Sequence, residues 1–455
     1  MMRAQTLFVV ADACGAARSA TDTAFTRVVI DSRKVQAGDL FVALAGERFD
    51  AHDFLADVQR AGAVAAIVER KNAALNFPQL EVSDCVQALG KIACLNRNLF
   101  SGKIIGLTGS AGKTTTKEMI AAILVQQGKP LITQGNLNNH LGVPLTLLSL
   151  SPEHDCAVIE MGASAVGEIR YLTQMVKPQV ALVTNVAPAH LEGFGSIENV
   201  ASGKREIFEG LASDGTAIIN LDNSWTASWL DSVSEQFRVL TFSMQKTADV
   251  FAENIVQTAA GVSFALCTST EHRNIALNFI GTHNVGNALA AAASCLALGI
   301  SLDVIAQGLH TAKPYKGRLQ LRKGVQGSSV IDDSYNANPA SVRMAIDTLM
   351  QCDGEKILVL GDMGELGSDA KALHAEIGSY ARQVGIKKLL VTGELSRATA
   401  QAFGAEAQHF PNWELLTERC VVLAQAKTVF LIKGSRSAGM DRVADHLAAT
   451  EDSLC

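Results

Sequence analysis

The sequence predicts an α/β protein of three domains, with a P-loop ATPase domain on a parallel sheet at its centre. A chain of 455 residues amounts to about three domains at roughly 150 residues each. Short apolar runs alternate with helical segments, which is typical of parallel sheets covered by crossover helices. One of these runs leads into a glycine-rich loop that precedes a helix.

The first domain is predicted at residues 1–98. The apolar run at 7–11 is ended by Asp12 before it reaches the roughly 7 to 15 residues of a signal-peptide core, so we interpret it as an amphipathic start of this domain. The residue pattern of the sequence changes at 98–102, and we place the boundary between the first and the central domain there. The β-rich runs of this domain lie at 27–30, 39–44 and 65–68.

The central domain is predicted at residues 99–312. Its pattern becomes alternating between about 249 and 280, which indicates a small antiparallel sheet appended to the parallel one. An alanine-rich helix follows from Asn284. The buried-type runs that predict parallel strands lie at 104–107, 157–159, 180–183 and 217–219.

The C-terminal domain is predicted at residues 313–455, as a doubly wound, Rossmann-like fold. The segment 313–318 contains Pro314 and Gly317, which stop a helix and indicate a hinge. The runs that predict its strands lie at 329–331, 356–360, 388–391 and 429–432.

Composition excludes several classes of function. The net charge of −6, without long basic runs, argues against a general nucleic-acid or anionic-membrane binder. The most apolar stretch, 288–300, is too short for a membrane span. The nine cysteines are scattered and show no Cys-x-x-Cys spacing, so neither a disulfide framework nor a zinc cluster is expected, and a reducing cytoplasm fits best.

The glycine-rich loop is a variant P-loop, since Leu107 stands where the strict spacing would place Gly or Ala. Its backbone amides and the helix N-terminus suit phosphate oxygens, Lys113 can bridge phosphates, and the Thr114 hydroxyl can bind Mg²⁺. A Gly/Ser turn before an ordinary helix is the alternative. The candidate nucleotide-binding residues here are Thr108, Gly109, Ser110, Ala111, Gly112, Lys113, Thr114 and Thr115.

A P-loop alone leaves a GTPase switch, a kinase, a helicase and a ligase open. The guanine-selecting Asn-Lys-x-Asp run is absent, and the low basic content disfavours a helicase. Glu160 and His190 each follow a predicted strand, at the sheet edge where ligands of α/β proteins bind, and Glu160 is a candidate Mg²⁺ ligand. Lys204 carries no such signal, and its residue type favours a solvated surface lysine.

The order of these motifs resembles the Mur ligase family of peptidoglycan synthesis. The P-loop, Glu160-Met161-Gly162, the segment 185–190 and the segment 204–207 follow one another as in that family, although Arg205 stands where a small residue is expected. The resemblance covers essentially the whole chain. Segments that resemble the branch adding D-alanyl-D-alanine to UDP-N-acetylmuramoyl-tripeptide lie at 31–33, 38–44, 46–54, 332–339, 361–367 and 433–437.

The resemblance implies roles for particular residues. Arg318 would reach the γ-phosphate of ATP from the C-terminal domain and Asp333 its ribose, while His283, Asn284 and Asn287 would contact adenine. A helix N-cap is the alternative for His283 and Asn284. Two Mg²⁺ ions are implied, with Lys204 carbamylated so that it becomes an anionic ligand. The implied metal ligands are Thr114, Glu160, His190 and Lys204, and the implied catalytic residues are Lys113, His190, Lys204 and Arg318.

The implied substrates are UDP-N-acetylmuramoyl-tripeptide and D-alanyl-D-alanine. The resemblance implies that the amide-rich segment 133–144 is a loop on the substrate side. The composition alone is equally that of an ordinary polar loop. Arg33 would pair either with a diphosphate or with a neighbouring acid. The candidate substrate residues are Ser32, Arg33, Asn136, Asn138, Asn139, Tyr335 and Asn336.

The implied reaction is ATP-dependent amide formation through an acyl phosphate. A tripeptide-forming Mur ligase and a folylpolyglutamate synthase are the alternatives among enzymes, and a nucleotide-dependent switch or scaffold is the alternative outside them. A ligase releases ADP only when both the carboxylate and the amine substrate are present, whereas a switch needs no amine.

Overall fold

The computed structural model describes residues 1–46, 49–188, 190–258 and 261–449. Glu47, Arg48 and Ala189, which belong to the segments 46–54 and 185–190, lie outside the described residues.

The N-terminal part of the chain contains two small sheets. Its elements are β1 (Gln5–Thr6), α1 (Leu7–Cys14), β2 (Ala24–Phe25), β3 (Val28–Val29), β4 (Leu40–Val42), α2 (Leu55–Arg60), β5 (Ala65–Val68), β6 (Gln79–Glu81) and α3 (Cys85–Asn98). Strands β1 and β2 pair antiparallel, whereas β3, β4, β5 and β6 form a parallel sheet in that order. The three β-rich runs expected here are strands.

Helix α3 packs the N-terminal part against the middle of the chain. A single apolar core includes Leu89 of α3 together with residues on one face of the central sheet. At the end of α3, Asn96 Nδ2 donates to the carbonyl of Leu147 (2.8 Å), and Arg97 Nε donates to that of Val176 (2.6 Å). Both carbonyls end helices, so two buried polar side chains satisfy groups that a helix leaves unpaired.

The middle of the chain forms a nine-stranded sheet with helices on its faces. Its elements are β7 (Lys103–Thr108), α4 (Lys113–Leu124), β8 (Pro130–Ile132), α5 (Gly142–Leu148), β9 (Cys156–Glu160), α6 (Glu168–Val176), β10 (Val180–Val183), α7 (Leu191–Phe194), α8 (Ile197–Arg205), β11 (Thr216–Asn220), α9 (Thr226–Ser234), β12 (Arg238–Ser243), β13 (Val250–Gln257), β14 (Val262–Cys267), β15 (His272–Leu277), α10 (His283–Ala297) and α11 (Leu302–Thr311).

The strand order in this sheet is β15-β14-β13-β12-β11-β10-β7-β9-β8. All neighbours from β8 to β13 are parallel, and β14 and β15 are antiparallel. The antiparallel strands therefore continue the edge of the parallel sheet. They join it through β12 and β13, where Phe242 is paired with Val250.

The C-terminal part forms a six-stranded sheet in the order β16-β17-β21-β18-β19-β20. The elements are β16 (Gln320–Lys323), β17 (Ser329–Asp333), α12 (Pro339–Met350), β18 (Glu355–Leu360), α13 (Ala370–Gln383), β19 (Lys388–Thr392), α14 (Ser396–Phe403), β20 (Ala407–Phe410), α15 (Trp413–Leu423), β21 (Thr428–Lys433) and α16 (Met440–Leu447). Only β16 runs antiparallel to its neighbour, and apolar cores cover both faces, as in a doubly wound fold.

The predicted fold class is confirmed. The short strands β6, β8, β12, β16 and β20 were not predicted from the sequence. The domain boundaries at 98/99 and 312/313 stay predictions. In the described part of the chain, no helix is long and apolar enough to cross a membrane.

Candidate active site

The P-loop connects β7 to α4 in the way its sequence predicts. Thr108 ends the buried strand, and Lys113 begins the helix. Gly109 and Gly112 have φ angles of 153° and 78°. A Cβ atom at Gly109 would collide with the Thr184 hydroxyl, and one at Gly112 with the side-chain amide of Asn287. Glycine is therefore required at both positions for its conformation and for its lack of a side chain.

A neighbouring loop holds the P-loop in shape. Asn185, just past β10, accepts from Ser110 N through its carbonyl (3.0 Å) and from Ala111 N through Oδ1 (2.9 Å). Lys113 Nζ folds back onto the carbonyl of Gly109 (2.7 Å). Burial lowers the pKa of Lys113, with Glu160 acting in the opposite sense. Asn185 was not predicted as a site residue, although it follows a strand as His190 does.

Glu160 lies where the end of β9 meets the first turn of α4. Its side chain is buried, with one oxygen accepting from Thr114 Oγ1 (3.1 Å) and the other from Asn138 Nδ2 (2.8 Å). The P-loop helix, a strand end and the amide-rich loop thus meet at one carboxylate.

His190 stands immediately before α7 in a left-handed conformation, with φ of 52°. Burial lowers the pKa of its imidazole, while Glu365 acts to raise it. Its Nδ1 lies in close contact with the Glu365 carboxylate of the C-terminal part, and the contact is an ion pair only when the imidazole is protonated. Because the two residues are 175 positions apart, this contact connects two sheets of the molecule.

Lys204 is buried, so the sequence-based expectation of a solvated lysine is wrong. Its side chain lies on α8, is 2% exposed, and donates from Nζ to the carbonyl of Ala163 (3.3 Å). The Nζ atom lies 5.2 Å from the centroid of the Phe194 ring. Burial and, next, the charge of Lys113 lower the pKa of Lys204 to about 7, against the opposing effect of two glutamates.

The beginning of α10 forms a further side of the site around the P-loop. The N-cap of this helix is Thr282, which makes no side-chain cap bond, so capping does not explain His283 or Asn284. Instead Asn287 Nδ2 donates to Asn284 Oδ1 (2.9 Å), and Asn287 Oδ1 accepts from Thr116 of α4 (3.3 Å). Burial, assisted by the charge of Lys433, lowers the pKa of His283 to about 4.

The C-terminal part of the chain contributes the side of the site that faces the P-loop. The guanidinium of Arg318 lies 4.0 Å from the ring centroid of Tyr335, and its Nε is buried without a hydrogen-bond partner among the described residues. Asp333 accepts from Leu319 N (3.2 Å) and pairs with Lys433 Nζ (2.5 Å). Burial raises the pKa of Asp333 and lowers that of Lys433.

Many of these residues line a cleft between the central and C-terminal sheets. Lys433 and Asn185 also line it, and neither was predicted. Glu160 contacts Thr114 and Tyr335 contacts Arg318, whereas Lys204 is not among the lining residues. The predicted residues that line the cleft are Ser110, Ala111, Gly112, Lys113, Thr114, Thr115, His190, His283, Asn284, Asn287, Arg318, Asp333 and Asn336.

The other predicted substrate residues do not line this cleft. Asn139 Oδ1 accepts from Gly142 N (2.9 Å) at the start of α5, and Asn136 accepts from Asn138 N (2.7 Å), so both shape their own loop. Ser32 begins a short 3₁₀ helix, and Arg33 pairs with Asp31 (2.9 Å) while remaining 87% exposed. For Arg33, the structure shows the pairing with a neighbouring acid.

The predicted magnesium ligands include only one carboxylate. No group of three His, Cys, Asp or Glu side chains suited to a metal ion occurs in the described ranges. Mg²⁺ in phosphate-binding sites commonly uses one or two carboxylates, a hydroxyl, water and phosphate oxygens. The buried Thr114 hydroxyl and Glu160 carboxylate beside the P-loop fit that pattern, whereas a cationic Lys204 does not.

Comparison with known proteins assigns the family. The model of the Mur ligase family catalytic domain matches residues 24–97, that of the Mur ligase middle domain 107–295, and that of the Mur ligase glutamate ligase domain 317–436. The UDP-N-acetylmuramoyl-tripeptide--D-alanyl-D-alanine ligase of Escherichia coli (strain K12) is 43% identical over 93% of both chains. The chain belongs to the Mur ligase family.

Solved structures of Mur ligases share the whole architecture. A crystal structure of MurF from Acinetobacter baumannii, 37% identical, aligns with a TM-score of 0.91 over 98% of this Mur ligase and 99% of that chain. MurF from Thermotoga maritima, solved in complex with ADP, is 28% identical and aligns with a TM-score of 0.82 over 92% and 96% of the two chains.

Proposed function

We propose that this Mur ligase joins D-alanyl-D-alanine to the terminal carboxylate of UDP-N-acetylmuramoyl-tripeptide, converting ATP to ADP and phosphate. The observation that carries the proposal is the P-loop cleft, which Arg318 enters from the C-terminal part. The names of the relatives supply the two substrates. The reaction forms the pentapeptide precursor of peptidoglycan.

We assign ATP to the cleft, with its phosphates on the amides of the P-loop and on Lys113. The unpartnered Nε of Arg318 supports a contact with the γ-phosphate. Asp333 would receive the ribose, and His283, Asn284 and Asn287 the adenine. The half-buried, uncharged His283 suits a neutral heterocycle.

The chemistry follows from the charges in the cleft. A carboxylate is a poor electrophile, so one of its oxygens first attacks the γ-phosphorus of ATP, and ADP leaves. The ammonium group of the dipeptide loses a proton to solvent, the resulting amine attacks the carbonyl carbon of this acyl phosphate, and phosphate leaves as the amide nitrogen gives up a second proton. Lys113 and Arg318 reduce the repulsion between the two approaching anions and stabilise the transferred phosphoryl group.

We propose that Thr114, Glu160, His190 and Lys204 hold two Mg²⁺ ions. When bound, such ions neutralise charge on the transferred phosphoryl group. The pKa of about 7 leaves much of Lys204 as the neutral amine near physiological pH. A neutral amine reacts with CO₂ to give a carbamate and a proton, which turns a repelling cation into an anionic oxygen ligand.

We propose that residues 1–98 bind the UDP-muramoyl end through Ser32 and Arg33, residues 99–312 bind ATP, and residues 313–455 bind the dipeptide. The loop with Asn136, Asn138 and Asn139 would face the muramoyl peptide, because Asn138 contacts Glu160. Tyr335 and Asn336 would lie on the dipeptide side. The use of ATP favours the cytoplasm as the place of reaction.

A coupled ADP-release assay tests this function. The enzyme is given ATP and Mg²⁺ with UDP-muramoyl dipeptide, tripeptide or tetrapeptide, each combined with D-alanine, D-alanyl-D-alanine or a diamino acid. ADP release with the tripeptide and D-alanyl-D-alanine alone, and only when both are present, is the expected result. Release without an amine would indicate a nucleotide switch, and release with the dipeptide and a diamino acid a tripeptide-forming ligase.

A further inference from the structure

The cleft is rich in positive charge and poor in free negative charge. Lys113, Arg318 and Lys433 line it, which suits ATP and a substrate carboxylate. Among the described residues that line it, Asp333 is the only acid, and its carboxylate is paired with Lys433. Glu160 is buried under two hydrogen bonds. Neither carboxylate is left for a cationic substrate group, because Asp333 pairs with Lys433 and Glu160 is the proposed Mg²⁺ ligand.

The incoming dipeptide brings such a cation. An aliphatic amine is an ammonium ion near neutral pH, and it must approach the acyl phosphate through this positive cleft. Bringing the ammonium close to Lys113 and Arg318 without a counter-charge would be unfavourable. The site therefore needs an exposed carboxylate on the side from which the amine arrives.

Glu365 meets this need. It lies on the loop after β18 and contacts His190 Nδ1 at the edge of the cleft, from the part of the chain that we propose to bind the dipeptide. Its side chain remains 62% exposed, so one face of the carboxylate is accessible. Glu365 has φ of 60° and His190 φ of 52°, and such conformations in residues with a side chain are concentrated at functional sites.

Buried hydrogen bonds hold the Glu365 loop in place. His374, 1% exposed, accepts from Met363 N through Nε2 (2.9 Å), and its Nδ1 lies 2.7 Å from the carbonyl of Ala370. Asp362 accepts from the hydroxyl of Ser396 (2.6 Å). The carboxylate is thus carried by an anchored loop, which is the arrangement that positions a substrate group at low entropic cost.

We propose that Glu365 binds the ammonium group of the incoming dipeptide and so selects an amine as the second substrate. This inference rests on the proposed function. The carboxylate lies against His190 Nδ1. The ammonium of the dipeptide would bind the same carboxylate, which places the nitrogen beside the proposed ligand His190 and near the γ-phosphate.

The test compares Glu365→Gln with wild type, using D-alanyl-D-alanine and its hydroxy analogue, in which a hydroxyl replaces the ammonium. We expect the KM for D-alanyl-D-alanine to rise at least tenfold, while the inhibition constant of the hydroxy analogue changes less than twofold. Glu365→Asp, which keeps the charge, should retain part of the affinity. The matched control is Glu153→Gln, because Glu153 is an exposed glutamate that also pairs with a cation, Lys129, and it does not line the cleft.

A second measurement separates amine binding from the phosphoryl step. ADP release with the UDP-muramoyl tripeptide and hydroxylamine, a small neutral nucleophile, should be unchanged in Glu365→Gln. Its loss would overturn the proposal, because Glu365 would then act on acyl phosphate formation. An equal rise in the inhibition constant of the hydroxy analogue, or an unchanged KM, would also overturn it. Wild-type enzyme without dipeptide-dependent ADP release would instead disprove the proposed function.

Discussion

Thr114 Oγ1 donates a hydrogen bond of 3.1 Å to Glu160 Oε2, across a separation of 46 residues. The contact follows from the sheet, because β7 and β9 pair in parallel with Leu107 opposite Glu160. The residues after both strands therefore meet at the same edge. The Thr114 hydroxyl and the Glu160 carboxylate form the part of the proposed magnesium site that does not depend on carbamylation of Lys204.

Replacing Lys113 by alanine should abolish turnover without unfolding the protein. The loop loses its side-chain bridge between phosphates, so we expect ADP release to fall at least 100-fold. Burial lowers the pKa of Lys113, so its charge adds little to the stability of the fold, and we expect the melting temperature to change little. Lys103→Ala is the matched control, since Lys103 is exposed at the start of β7. Near-normal turnover by folded Lys113→Ala would contradict the assignment of the P-loop.

Replacing Arg318 by alanine should affect turnover more than ATP affinity. Its guanidinium stacks on Tyr335 in the C-terminal part. By our proposal, its contact with the γ-phosphate is complete only when the two sides of the cleft close. We expect kcat to fall at least 100-fold and the Kd of a nonhydrolysable ATP analogue to change less than fivefold.

Arg318→Lys separates the charge of this residue from its stacking. Lysine keeps the charge but cannot stack a planar group on Tyr335, so an intermediate kcat is expected. If the Kd rose as much as kcat fell in Arg318→Ala, then Arg318 would be a ligand of the ground state.

Two site residues that were predicted from the sequence pattern itself share one physical origin. Glu160 and His190 each follow an apolar run, and the carboxyl ends of parallel strands gather at one edge whatever the details of packing. The glycines of the P-loop indicate its backbone conformation directly from the local sequence. These features depend on local sequence and on the parallel sheet alone.

The residues that were missed depend on which elements become neighbours. Lys433 reaches Asp333 because β21 pairs with β17 and places the two residues opposite each other, although 100 positions separate them. Lys433 ends an apolar run, as Asp333 does, and that was the available signal. Lys204 was implied by the resemblance, and only its burial was missed. It shares a buried face of α8 with Val200 and Ala201, but a lysine in a helix gives no sign that its side chain is buried.

The stability of the protein should decrease between pH 6.5 and pH 4 in part because of His283. Its pKa of about 4 lies below the ordinary value of 6.5, so the unfolded chain binds more protons in this range. The contribution of the His283 ring to the free energy of unfolding is complete above pH 6.5 and is lost as the pH falls towards 4. Its size is about 2 kcal/mol, because the ring is partly exposed.

His283→Gln should therefore flatten the pH dependence of the free energy of unfolding, measured by urea denaturation at several pH values. His272→Gln is the control, because His272 is exposed on β15 and should leave the slope unchanged. Equal slopes for wild type and His283→Gln would show that the ring is protonated as readily in the folded protein as in the unfolded chain.

Replacing Lys204 by arginine tests whether its charge must be inverted. Arginine keeps the positive charge and cannot form the lysine carbamate, so Lys204→Arg should be nearly as inactive as Lys204→Ala, with ADP release at least 100-fold below wild type. The buried Nζ has the carbonyl of Ala163 as its hydrogen-bond acceptor, and an unmodified lysine that only made this contact would tolerate arginine far better than alanine. Removal of dissolved CO₂ should lower wild-type activity and bicarbonate should restore it, while neither treatment should change the variants. Wild-type activity in Lys204→Arg would end the carbamate proposal, whereas electron density extending past Nζ by a planar group of three heavy atoms would support it.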